Sequence, residues 1–243
     1  MKFTFVGCSF TAGEGLDNVE DSYVSLVAKH YNAEYVNLGK NGNSNYNIFL
    51  TALDELLFGT SDKVFVQWSA LNRLWLYPGP DTELSVQAIM SKDYNYRDIH
   101  LSKSELQDFS NKWNLLNHDY KLIFDVIIYC KMLEKVSNGK VVFINGLLPW
   151  TEDLLSSDAI NDYEANLSSY SKMILDFDNR SDSELDHFIT RIKTHSQQLN
   201  KALWVNCFES MIKNRIDFGT DQQHPGQESH RLYADWITTY LEG

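Results

Sequence analysis

The stretch MKFTFVGCSFTAGEGL, residues 1–16, decides how this chain is read. Lys2 to Val6 places β-branched and aromatic residues over one strand's length, and Gly7 ends the run. Ser9 follows at once, on the turn leaving the C-terminal end of that strand. Open α/β sheets place their chemistry there. Serine and glycine after a strand ordinarily just make a turn, so the weight of Ser9 depends on what the rest of the chain brings to it.

Working outward, Asp17 to Asp21 is polar, and Asp21 or Ser22 caps a helix running to about Tyr31. Ala33 to Leu38 reads as a second strand and Gly39 to Asn45 as a tight polar loop. A helix from about Tyr46 to Phe58 is stopped by Gly59, and Asp62 to Trp68 is a third strand. Strand, helix, strand, helix, strand in this spacing predicts a parallel sheet with helices on its faces and right-handed crossovers. From 69 to 117 the periodicity fails, and Tyr77-Pro78-Gly79-Pro80 reads as a turn within an insertion holding one or two short helices. Asp119 to Val136 is a helix and Lys140 to Asn145 a fourth strand. A second irregular stretch covers 147–182. A helix from Ser183 to Lys201, a short fifth strand from Ala202 to Asn206, and a last helix starting at Pro225-Gly226 complete the pattern. No repeat or linker divides it, so residues 1–243 are expected to form one domain.

The 243 residues suffice for a substantial core, with 43% hydrophobic and 22% charged residues. Lys and Arg number 21 against 33 Asp and Glu, a net charge of −12, and the pI is near 4.9. That balance argues against nucleic acid and anionic membranes as partners, and suits a neutral or sparsely charged substrate. Cys8, Cys130 and Cys207 are widely spaced, with no zinc or disulfide pattern, and read as reduced, mostly buried thiols. Neither a signal-peptide pattern nor a long apolar run is present, so a cytoplasmic location is expected. The triplets at Asn166 and Asn179 then carry no glycan.

Asp221 and His224 stand three apart in a Gly-flanked loop before the last helix. A carboxylate so placed can bond the near ring nitrogen and leave the far one pointing outward, as a histidine base requires. The same pair could contribute to a metal site, but no third or fourth ligand follows at a telling spacing, and no metal or cofactor is expected. His230 reads as a packed or surface histidine, and the other five have no partner pattern.

Together these segments resemble the SGNH (GDSL-type) hydrolases. Gly7-Cys8-Ser9-Phe10 is similar to the family's first block, with Cys8 where Asp is usual, and Asn41-Gly42-Asn43-Ser44 to the second. Ala70-Leu71-Asn72-Arg73 retains only the Asn of the third block, with Arg73 where Asp is usual. Asp221-Gln222-Gln223-His224-Pro225 is similar to the last. The resemblance implies a flavodoxin-like α/β/α sandwich around a central, mostly parallel five-stranded sheet. It further implies a Ser9–His224–Asp221 triad and an oxyanion hole from the N–H groups of Ser9 and Gly42, with the Asn72 amide. Gly42 is favoured over Gly39, and Ser69 is an alternative to Asn72. Arg73, Trp75 and Tyr77 are candidate substrate contacts. The implied activity is hydrolysis of a small acyl ester, including an O-acetyl group on a carbohydrate. A lipase or thioesterase on longer chains, or a non-catalytic module keeping the fold, are the alternatives; the oligomeric state is open.

Overall fold

The computed structural model describes residues 1–71, 73–79, 82–87, 119–147, 190–191, 194–195, 197–205 and 210–243. In chain order its elements are β1 (Lys2–Val6), the single turn α1 (Ser9–Ala12), α2 (Tyr23–His30), β2 (Glu34–Asn37), α3 (Asn45–Phe58), β3 (Lys63–Gln67), β4 (Arg73–Gly79) and β5 (Thr82–Gln87). They continue with α4 (Asp119–Ser137), β6 (Val141–Ile144), β7 (Trp204–Val205) and α5 (Gln227–Glu242), and short 3-10 turns occupy Val19–Asp21 and Lys201–Leu203.

Five strands form one sheet in the order β2-β1-β3-β6-β7, and every pairing in it is parallel. The continuous burial along β1, β3 and β6 accords with this, because each strand is covered on both faces. Alternate residues of β3 point to opposite cores. Val64 and Val66 join Ile48, Ala52, Ile127 and Leu133 under α3 and α4. Phe65 joins Phe3, Phe5, Tyr23, Tyr233 and Ile237 under α2 and α5. Three layers result. Because β1 is flanked by β2 on one side and β3 on the other, the α2 and α3 crossovers leave on opposite faces. The crevice of a doubly wound sheet lies at such a reversal, beyond the C-terminal ends of the strands.

Local signals account for the helix boundaries. Ser22 caps α2 by accepting from the Ser25 N–H at 3.3 Å, and Ser44 caps α3 by accepting from the Asn47 N–H at 3.2 Å. Gly59 follows α3, as expected. Three expectations are corrected. Residues 73–87, read as irregular with a turn at Tyr77–Pro80, contain an antiparallel pair in which Trp75 opposes Ser85 and Tyr77 to Gly79 lie within β4. Pro78 is tolerated there because the register breaks between Leu76 and Gly79. Pro225 does not start the last helix either: it bridges back to Phe218, and Gly226 is the cap. The Ser183–Lys201 expectation is described only in part, and its end is corrected, since Asn200 caps a 3-10 turn. The short helices expected in 88–117 and the stretch 148–182 lie outside the described residues. None of the described helices is long and apolar enough to cross a membrane.

His230 of α5 is fully buried, stacked on Tyr23 at 5.8 Å, and its Nδ1 accepts the Tyr23 N–H at 3.1 Å. Burial drives its pKa down to about 4 from the usual 6.5, Asp217 opposing and His224 adding to the shift. Between those values the unfolded chain takes up a proton that the folded ring refuses, so stability is complete above about pH 6.5 and is lost as pH falls toward 4. The whole shift corresponds to roughly 3 kcal/mol. Urea unfolding at pH 7 and at pH 4.5 should show this decline, and His230→Gln should flatten it.

Candidate active site

β1 delivers its C-terminal end to Gly7, where the chain turns. Cys8 is extended (φ −97°, ψ −156°), and Ser9 opens α1. The turn closes at Gly13, whose φ of +82° suits glycine and whose N–H donates to Ser9 O at 3.0 Å. Ser9 is 2% exposed, and its Oγ lies 4.0 Å from Cys8 Sγ. Cys8 and Cys130 are free and buried, while Cys207 lies outside the described residues.

The segment before α5 brings the imidazole. His224 Nδ1–H donates to Asp221 Oδ2 at 2.5 Å, and the other carboxylate oxygen accepts the N–H groups of Gln223 and His224 at 2.9 and 3.0 Å. Burial alone would raise the Asp221 carboxyl, but these bonds and the His224 ring outweigh it and hold the pKa at about 2. Asp221 is therefore a carboxylate at any neutral pH, and its bond fixes the tautomer that leaves Nε2 with its lone pair. The two side chains are one-third and one-fifth exposed.

This loop sits on the segment that follows Ser9. Gly15 O accepts both the N–H and the hydroxyl of Thr220, at 2.8 and 3.1 Å. A Cβ on Gly219 would lie 2.4 Å from Gly15 O, and one on Gly15 would press on Asp221 and His224. Phe10, next to Ser9, meets the His224 ring edge-on with centroids 6.1 Å apart. Ser9, Asp221 and His224 are thus brought to the same end of the sheet. No hydrogen bond joins Ser9 Oγ to His224; the Oγ contact is the one to Cys8 Sγ.

The second loop adjoins the first. Gly7 O accepts the Lys40 N–H and Asn43 Nδ2, and Asn37 Nδ2 donates to Thr11 O. Gly42, with φ +68°, adopts the left-handed conformation glycine favours, whereas a Cβ on Gly39 would strike Ala12 N at 2.5 Å. Asn45 reaches the third loop, donating to Ser69 O and Ala70 O and accepting the Ser69 N–H at 2.7 Å. The Ser69 hydroxyl is buried and unpartnered. Asn72 lies outside the described residues, as do the side chains of Trp75 and Tyr77. Arg73 begins β4, and its Nε and Nη1 are buried without partners among the described residues. Among the described residues no group of three His, Cys, Asp or Glu side chains could hold a metal.

No family model and no curated protein matches the chain. Solved structures do. TesA superposes with a TM-score of 0.50 at 12% identity, over 99% of this chain and 98% of its own. This is the SGNH-hydrolase fold. The lipase/acylhydrolase from Enterococcus faecalis is similar at TM-score 0.48 and 16% identity, over 100% of this chain and 95% of its own. The acetyl xylan esterase Est2A from Butyrivibrio proteoclasticus gives 0.46 and 16%, over 99% of this chain and 62% of its own.

On this SGNH fold the sequence reading missed two supports. Gln67, fully buried at the end of β3, bonds the Cys8 N–H and Thr11 Oγ1 and so touches both sides of Ser9. Only its polarity in an apolar run marked it. Asp217 accepts the N–H groups of Glu228 and Ser229 at 2.9 and 2.8 Å, capping α5. Burial raises its carboxyl, and the bonds to Ser229 and Glu228 lower it further than burial lifts it. Asp217 therefore serves the helix and Asp221 the imidazole. Asp217→Ala should cost about 2 kcal/mol of stability as a lost cap, more than Asp221→Ala, as measured by urea denaturation.

Proposed function

We propose that the chain is a serine esterase in which Ser9, His224 and Asp221 form the catalytic triad. The single observation carrying this reading is the Asp221–His224 bond of 2.5 Å on a loop seated against Gly15, six residues after Ser9. His224 Nε2 takes the Ser9 proton as Oγ attacks the acyl carbonyl, forming a tetrahedral oxyanion. The same proton then passes to the leaving alkoxide as the C–O bond breaks. Water, deprotonated by His224, hydrolyses the acyl-enzyme and restores Ser9. The N–H groups of Ser9 and Gly42 and the Asn72 amide are the proposed oxyanion donors, each such donor typically worth about 2.7–4 kcal/mol of barrier. Ser69, with its unpartnered hydroxyl, is the alternative for Asn72.

The proposed substrate is a small acyl ester on a carbohydrate, with Trp75 and Tyr77 as candidate sugar contacts. Arg73 adds a preference. Two enclosed, unpaired nitrogens on a half-buried arginine favour an anion, so an ester whose sugar carries a carboxylate fits better than a neutral one.

Treatment with a fluorophosphonate probe followed by mass spectrometry should label Ser9, and Ser9→Ala or His224→Ala should abolish labelling. An intact protein that is neither labelled nor able to cleave p-nitrophenyl acetate would sink the reading. Asn72→Ala should lower kcat about 100- to 1,000-fold with the fold intact; unchanged activity would move that role to Ser69. Arg73→Gln should raise KM for a carboxylate-bearing ester and leave KM for its neutral counterpart unchanged.

A further inference from the structure

We infer that Gln67 is the positioning residue of the nucleophile, holding the Gly7–Cys8–Ser9 turn in register with α1; this role rests on the esterase reading. Its amide orientation is unambiguous, because one Nε2 hydrogen faces the Trp68 carbonyl at 2.8 Å. The other points to Cys8 Sγ at 3.3 Å. Oε1 accepts from Thr11 Oγ1 at 2.7 Å and from the Cys8 N–H at 3.3 Å. All four hydrogen-bonding positions of the amide are filled, three of them by the residue before Ser9 and the residue two after it. Thr11 is fixed in turn by the phenol of Tyr23, 2.8 Å away; burial pushes that phenol's pKa far up, so it stays a donor.

The fit around the amide is as specific as its bonds. A Cβ on Gly7 would lie 2.1 Å from Thr11 Oγ1 and 2.8 Å from Gln67 Oε1. A Cβ on Gly146, beyond β6, would lie 1.8 Å from Gln67 Nε2. Neither glycine is in the left-handed region, so both are small to admit the amide rather than to bend the chain. Among the described residues Ser9 has no side-chain bond except the long contact to Cys8 Sγ. The direction of its Oγ and of its N–H is therefore inherited from Cys8 and Thr11, and both are held by Gln67. A buried, fully satisfied network of this kind is rigid, and a displacement of about 1 Å at a nucleophile can cost 100-fold in rate.

The test compares wild type, Gln67→Met and Gln67→Glu by fluorophosphonate labelling of Ser9, p-nitrophenyl acetate kinetics from pH 5 to 9, and thermal unfolding. Gln67→Met keeps the volume and removes the bonds. It should lower kcat and the labelling rate about 10- to 100-fold with KM within twofold. Gln67→Glu separates positioning from packing. When protonated it can still donate to Trp68 O and accept from Thr11 and Cys8. Burial raises its pKa, and ionisation sets a carboxylate against the Trp68 carbonyl. Its kcat should therefore stay near wild type at low pH and fall through a single ionisation as pH rises, a limb absent from wild type. Wild-type kcat throughout for either folded variant, with Ser9 still labelled in wild type, overturns the positioning role alone. If Gln67→Met does not fold, the Gln67→Glu profile decides. A wild-type protein unlabelled at Ser9 overturns the esterase reading and this inference with it.

Discussion

Parallel pairing of β1 with β3 places Val6 beside Val66, and the geometry of the site descends from that register. One residue past it stand Gly7 and Gln67, two past it Cys8 and Trp68. A slip by one would exchange the faces of Val64, Phe65 and Val66 between two packed cores, so burial on both sides locks the alignment. Once it is locked, amides join the loops: Asn37 to Thr11, Asn43 to Gly7, Asn45 to Ser69, Gln67 to Cys8. The choice of carboxamide has a physical reason. These groups are buried or nearly so, and an uncharged donor–acceptor can satisfy loop backbone there without the desolvation cost of an ion. The floor beneath Ser9 is neutral, and the charge is kept for Asp221.

Two aspartates and two histidines between Asp217 and His230 illustrate how burial divides similar residues. Asp217 and Asp221 are both acidified by backbone N–H groups, but the first accepts from the start of α5 and the second also meets an imidazole. His224 is partly exposed beside a carboxylate; His230 is enclosed, stacked on Tyr23 and accepting a backbone proton. Type and spacing do not distinguish the members of either pair. Partners do.

Much of the fold was legible because its signals are local. The buried runs of β1, β3 and β6, the cap at Ser22, and Gly59 each act within a few residues, and the order of the five sheet strands that follows is the one the structure has. The β4–β5 pair was not, since Pro78 and the neighbouring polar residues obscure a strand whose register itself breaks there. Pro225 was misassigned because a proline before a helix equally suits a bridge, and the Phe218 partner lies seven residues back. Within the candidate site, Ser9, Gly42, Asp221 and His224 could be picked out by motif. Gln67, Gly15 and Gly219 could not, because their roles are contacts between segments that are distant in sequence.

The Thr220–Gly15 contact spans 205 residues and seats the segment carrying His224 at Ser9's end of the sheet. Closing so long a loop is entropically late work, rewarded only after the intervening strands have paired. During synthesis Ser9 emerges more than two hundred residues before His224. Throughout that interval the Ser9 turn stands without the Asp221–His224 loop that seats on Gly15 in the folded chain.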